Sequence, residues 1–130
     1  MILKSQEYIV CGGSEFTVEW YFNDQGKSSA KKYFDQLQLV RKKKFMNLVR
    51  LMCGQGEIQD TTKFRYENDG IYAFKPQPDR FFCFFFTGSK IIITNAYEKK
   101  SDKMSLPDKA KAQRAYSDYL YRVEKGTYYE

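Results

Sequence analysis

The 130-residue chain contains no histidine. That removes the side chain whose ordinary pKa lies nearest neutrality, so any enzyme built here must work with lysine, carboxylate, tyrosine or cysteine. The three cysteines, Cys11, Cys53 and Cys83, are an odd set with no CxxC spacing, which argues against a disulfide framework. With no imidazole and only scattered thiols, no metal site is expected and no cofactor is called for. No apolar run approaches the roughly 18 residues of a spanning helix, so no membrane partner is expected. The opening MILKSQEYIVCGG has a short apolar patch broken by Gln6 and Glu7, a poor signal peptide, and a cytoplasmic location is expected. Repeats and linkers are also missing, so residues 1–130 read as one domain.

What is abundant is aromatic and basic. Aromatic residues make up 18% of the chain, enough to build a packed core and to exclude global disorder. Lysine and arginine number 22 against 16 acids, a formal charge of +6. Such an excess suits an anionic partner such as nucleic acid, an acidic protein or a membrane surface; solubility alone is the other account of it.

Hydrophobic periodicity divides the chain. Residues 15–22 alternate Phe16, Val18, Trp20 and Phe22 on one side, a strand with one apolar face. NDQGKSS (23–29) is turn chemistry ending in a serine cap. Ala30, Tyr33, Phe34 and Leu37, then Phe45, Leu48, Val49 and Met52, form two helical stripes close enough for a hairpin, ended by Gly54 and Gly56. Strands follow at about 63–66, 71–75, 80–87 and 90–98, punctuated by Pro76, Pro78 and Gly88-Ser89. SLPD (105–108) opens a last helix with Ala112, Ala115, Tyr116, Tyr119 and Val123 on its apolar side. The expected fold is α+β: an antiparallel sheet of about four strands, an N-terminal helical hairpin on one face and a C-terminal helix, in the order β-α-α-β-β-β-α.

If Gly88-Ser89 is a two-residue loop, Thr87 faces Lys90, Arg80 faces Tyr97 and Phe82 faces Asn95. A four-residue loop at 76–79 puts Lys75 opposite Arg80. Lys75, Arg80 and Tyr97 then share one face at one end of the sheet, with Lys99 extending the row. The other face receives Tyr72, Phe74, Phe81, Cys83, Phe85, Ile92 and Ala96. Cations beside a tyrosine and an asparagine suit a phosphate backbone with stacked bases; solvated strand ends are the bland alternative. RKKK (41–44) reads either as a solvated helix face or as a dock for a nucleic acid. Cys83, in mid-strand, reads as a small buried hydrophobe rather than a nucleophile.

IYAFK (71–75), DRFFCFF (79–85), IIITNAYEKK (91–100) and KAQRAYSDYL (111–120), in that order and spacing, resemble the RelE/ParE superfamily of toxins from type II toxin–antitoxin modules, nearest the HigB-like, phage-derived branch. The resemblance spans about 15–123 and leaves 1–14 as an N-terminal extension. It implies a metal-independent, ribosome-dependent endoribonuclease that cuts mRNA and stops translation. It also implies neutralisation by a cognate antitoxin, a small helix-turn-helix protein. Lys75 and Arg80 take the family's catalytic basic positions, with Tyr97 as the third candidate catalytic residue. Lys99 and Lys100, with Lys63 and Arg65, are candidate RNA contacts. The family's glutamate is Ala73 here, which leaves the general acid and base unassigned. Two other functions are compatible with the same resemblance: a ParE-like inhibitor of DNA gyrase without catalysis, and an inactive RelE-fold binding protein.

Overall fold

A computed structural model describes residues 8–129. The opening seven residues, which include most of the segment read above as a poor signal peptide, lie outside the described residues.

The elements run β1 (Ile9–Gly12), β2 (Thr17–Trp20), α1 (Ser29–Asp35), α2 (Leu39–Gln55), β3 (Phe64–Tyr66), β4 (Tyr72–Phe74), β5 (Asp79–Phe86), β6 (Lys90–Glu98) and α3 (Leu106–Glu124). Among the described residues the sheet has six strands, ordered β1-β2-β6-β5-β4-β3. It is larger than the expected four because a short strand is added at each edge: residues 9–12, part of the N-terminal extension, on β2, and Phe64–Tyr66 on β4. β2 runs parallel to β6, with Thr17 beside Lys90 and Trp20 beside Ile93, while the remaining pairs are antiparallel.

Local chemistry accounts for the helix boundaries. Ser28 caps α1 by accepting the Lys31 amide at 3.2 Å. Gly56 ends α2 in the left-handed region, at φ +82°, where a side chain would be strained. Ser105 caps α3 by accepting the Asp108 amide, with a proline in the first turn.

Two aromatic layers sandwich the sheet. On the hairpin side, Phe45 of α2 lies over Phe81 with ring centroids 4.0 Å apart, joined by Trp20, Val49, Phe74, Ile91 and Ile93. On the other side, Tyr116 of α3 stacks on Phe84 at 4.3 Å, among Ile71, Phe82, Ile92, Ala112 and Tyr119. Cys83 is fully buried and its thiol is pushed up by that burial, in keeping with a packing role.

Ile92 therefore lies on the face opposite to the expected one. Thr87–Ser89 is a three-residue turn with Phe86, not Thr87, opposite Lys90. That one-residue offset moves Ile91 and Ile93 to the hairpin face and Ile92 beneath α3. Thr94 then sits in a bulge, since Cys83 pairs with Ile93 while Phe82 pairs with Asn95. The bulge cancels the offset, so Arg80 still pairs with Tyr97.

Candidate functional site

Alternation along three strands fixes the site. Phe74 pairs with Phe81, so the next residue outward on each strand, Lys75 and Arg80, shares a row with Tyr97. In the row behind, Arg65 pairs with Ala73, which faces Phe82, which faces Asn95. The two rows floor a hollow of about 270 Å³ lined by Arg65, Ala73, Lys75, Arg80, Phe82 and Tyr97. Residues 101–104, between β6 and α3, and Glu67 and Asn68, after β3, make its rim. Three cations and a tyrosine thus meet over a small apolar floor of Ala73 and Phe82.

Arg80 is held rather than solvated. It is 8% exposed, and its Nη1 donates to Gln77 Oε1 at 3.2 Å and to the Asp79 carbonyl at 3.3 Å. No carboxylate among the described residues pairs with it, so its charge stays available to an anion. Lys75 Nζ lies 3.5 Å from the Thr61 carbonyl. Burial and then the neighbouring Arg80 charge hold the Lys75 ammonium below its usual pKa, with Arg65 and Lys99 adding to the effect and Glu67 opposing it. The Tyr97 hydroxyl accepts the Ser105 amide at 3.2 Å, and its ring packs 5.6 Å from that of Phe82. Tyr97 therefore retains its own proton to donate, and its orientation is fixed by the cap of α3.

The candidate RNA contacts do not all converge. Arg65 enters the hollow. Lys99 stands close enough to weigh on Lys75 electrostatically, yet its Nζ pairs with Asp102 on the rim at 2.8 Å. Lys100 is 82% exposed and turns to Glu98 at 3.1 Å. Lys63 lines a separate hollow on the hairpin side, which it shares with Lys75.

One functional neighbour went unread in the sequence. Arg41, counted there within the RKKK run, reaches from α2 to both Asp79 and Glu98, meeting Glu98 at 2.8 Å. Tyr33 of α1 donates to the same Asp79 at 2.5 Å. This cluster around the buried Asp79 anchors the start of β5 from beneath. The signal was present: strand alternation that turns Arg80 toward the hollow must turn Asp79 into the hairpin, where a buried carboxylate requires a cation.

Residues 21–117 match the family described as phage-derived protein Gp49-like (DUF891). The chain belongs to that family. The Gp49-like family is associated with toxins of toxin–antitoxin modules of the RelE/ParE-like type, and in general such a protein has an antitoxin partner. No curated protein matches the chain. The Gp49-like segment runs from the end of β2 into α3, and so takes in every residue of the basic hollow. No helix among the described residues is long and apolar enough to cross a membrane.

Proposed function

We propose that this chain is the toxin of a HigB-like module, a ribosome-dependent endoribonuclease that cleaves mRNA in the cytoplasm. The observation that carries the proposal is the meeting of Lys75, Arg80, Arg65 and Tyr97 in one hollow, with Arg80 unpaired by any carboxylate among the described residues.

The chemistry that suits this set needs no metal ion. The 2′-oxygen of a nucleotide attacks its own 3′-phosphate and loses its proton to a base, the bond to the 5′-oxygen of the next nucleotide breaks, and that oxygen takes a proton from water, leaving a cyclic phosphate and a 5′-hydroxyl. Negative charge grows on the phosphate oxygens as the new bond forms, and a fixed guanidinium stabilises it most there. Arg80, buried and held by Gln77, takes that role. Lys75 is the candidate base, because its lowered pKa raises the fraction of neutral amine able to take the 2′-hydroxyl proton. Tyr97 orients the nucleotide through its hydroxyl and offers a ring edge to a base. Arg65 and Lys99 draw in the flanking phosphates. The cognate antitoxin, proposed to be a small helix-turn-helix protein, neutralises the chain by presenting acidic residues to the hollow or by blocking its approach to the ribosome.

The test is addition of the protein to a translation extract with mapping of mRNA 5′ ends, beside Arg80→Ala. New ends that depend on translation and vanish in the variant are expected. Intact mRNA combined with inhibition of gyrase supercoiling would replace the nuclease by the ParE-like activity.

A further inference from the structure

We infer that a second hollow, on the hairpin side of Lys75, is a subsite for the sugar and phosphate of an RNA nucleotide flanking the cleaved bond. The inference rests on the nuclease assignment above and adds a place for the strand to run. The hollow has a volume of about 340 Å³ and is lined by Lys44, Asn47 and Leu48 of α2, by Lys63, and by Lys75 and Pro76.

Continuity is the first support. Lys75 lines both hollows, so they meet at its side chain. Gln77 forms the partition. Its Oε1 accepts from Arg80 in the first hollow at 3.2 Å, and its Nε2 donates to the Thr62 carbonyl at the second at 3.3 Å.

Charge is the second. Three ammonium groups border this space and no carboxylate among the described residues lines it. Asp60, in the adjoining turn, is turned to Thr62, accepting its amide at 2.9 Å and its hydroxyl at 2.6 Å. Neither Lys44 nor Lys63 forms an ion pair with any described residue. A merely solvated helix usually intersperses acids three or four positions from its bases. α2, by contrast, carries five cations and no acid over Leu39–Gln55, and of the five only Arg41 meets a carboxylate among the described residues. Such a concentration of one sign is relieved by an anion, and a polyanion that already occupies the neighbouring hollow is the one at hand. The buried Leu48 and Pro76 supply apolar surface for a ribose or base edge, and Asn47 supplies an amide for hydrogen bonding.

The experiment uses oligouridylates of two and six nucleotides carrying 2′-O-methyl groups, which cannot be cleaved because the nucleophile is blocked. Binding is measured against salt for the wild type, for Lys44→Ala/Lys63→Ala and for Arg80→Ala, with thermal unfolding as the check on folding. Both lysines are exposed, so the double variant keeps its core. The wild type is expected to bind the hexamer more tightly than the dimer. The double variant should lose roughly ten- to a hundredfold on the hexamer at low salt, flatten its salt slope by about 1.4, and leave the dimer unchanged. Cleavage of translated mRNA should weaken in apparent KM with kcat retained.

Equal binding of hexamer and dimer by the wild type overturns the subsite. So does an unchanged hexamer affinity in the double variant. In both cases loss of mRNA cleavage in Arg80→Ala leaves the nuclease assignment standing. A wild type that neither binds these oligonucleotides nor cuts translated mRNA overturns both together.

Discussion

Asp79 and Arg80 are chain neighbours that serve opposite faces of β5. Asp79 is wholly buried beneath the helical hairpin, where Arg41 and Tyr33 hold it, while Arg80 opens onto the basic hollow. Their shared backbone ties the position of the Arg80 guanidinium to the packing of α1 and α2, and the Asp79 carbonyl accepts directly from Arg80.

Arg41→Ala is expected to destabilise the fold more than its place in a surface charge run suggests. The Asp79 side chain is 1% exposed, so losing the guanidinium strands a buried carboxylate. Breaking such a pair from one side costs about 3–5 kcal/mol, and the Tyr33 hydroxyl keeps this case near the lower figure. Arg41→Ala/Asp79→Asn should recover much of the loss. Urea unfolding checks both, and a single variant within about 0.5 kcal/mol of wild type, the range of a neutral surface change, contradicts the clamp.

Arg80→Ala should lose roughly a hundred- to a thousandfold in cleavage rate, the usual effect of deleting one fixed donor to developing charge. Because Arg80 is buried and twice hydrogen-bonded, some stability goes with it. The relief of repulsion on Lys75 offsets part of this, leaving a net cost of about 1 kcal/mol. Phe84→Ala gives the opposite profile: Phe84 is fully buried under Tyr116, and its truncation should cost about 3–5 kcal/mol and threaten the fold. Single-turnover cleavage beside thermal unfolding separates the two. Wild-type cleavage by folded Arg80→Ala would remove Arg80 from the mechanism.

The pH dependence should carry a signature of Lys75. Its ammonium is disfavoured in the fold, first by burial and then by Arg80, so it titrates below the ordinary 10.5. In the window just beneath that value the unfolded chain holds more protons than the folded one, so the Lys75 contribution makes stability rise with pH. If Lys75 is the base, the rate climbs through the same window, and Lys75→Arg, which keeps the charge, abolishes the climb. In Arg80→Ala the side-chain carbon resonances of Lys75 should titrate at higher pH. A titration unmoved by Arg80→Ala would show that the two charges do not interact.

Gly13→Ala should loosen the β1–β2 turn from α2. A β-carbon on Gly13 would stand 2.5 Å from the Cys53 carbonyl oxygen, a backbone atom that already accepts from the amides of Glu15 and Phe16. Overpacking against such a fixed neighbour costs about 1–3 kcal/mol. Gly54→Ala, where the added carbon meets nothing within 4 Å, is the control and should be close to neutral. Equal stabilities would mean that the turn yields freely.

The helical stripes and the row of Lys75, Arg80 and Tyr97 were legible because both arise from short-range periodicity. The row came from two compensating departures: a three-residue turn where two residues were expected, and the Thr94 bulge that restores phase. Ile92, between them, shows the error uncorrected. Nothing local marks the parallel pairing of β2 with β6, because its partners lie far apart in the chain. The same holds for Tyr8, whose hydroxyl donates to the Tyr128 carbonyl at 3.1 Å across nearly the whole sequence. Arg41 went unread for a different reason. Alternation marks Asp79 as a buried carboxylate that needs a cation, but within a run of cations nothing local shows which one tertiary packing selects.

The parallel pairing also sets a schedule for synthesis. β2 leaves the ribosome early, but its lateral partner, Lys90–Ile93, is made roughly seventy residues later. At translation rates of about 5–20 residues per second, β2 waits about 4–15 s for that neighbour. Residues 80 and 97 must both have emerged before the cationic cleft exists at all. On the proposed function the chain is thus harmless for most of its own translation, and an antitoxin that recognises the finished surface would have nothing to bind until the last helix is being made.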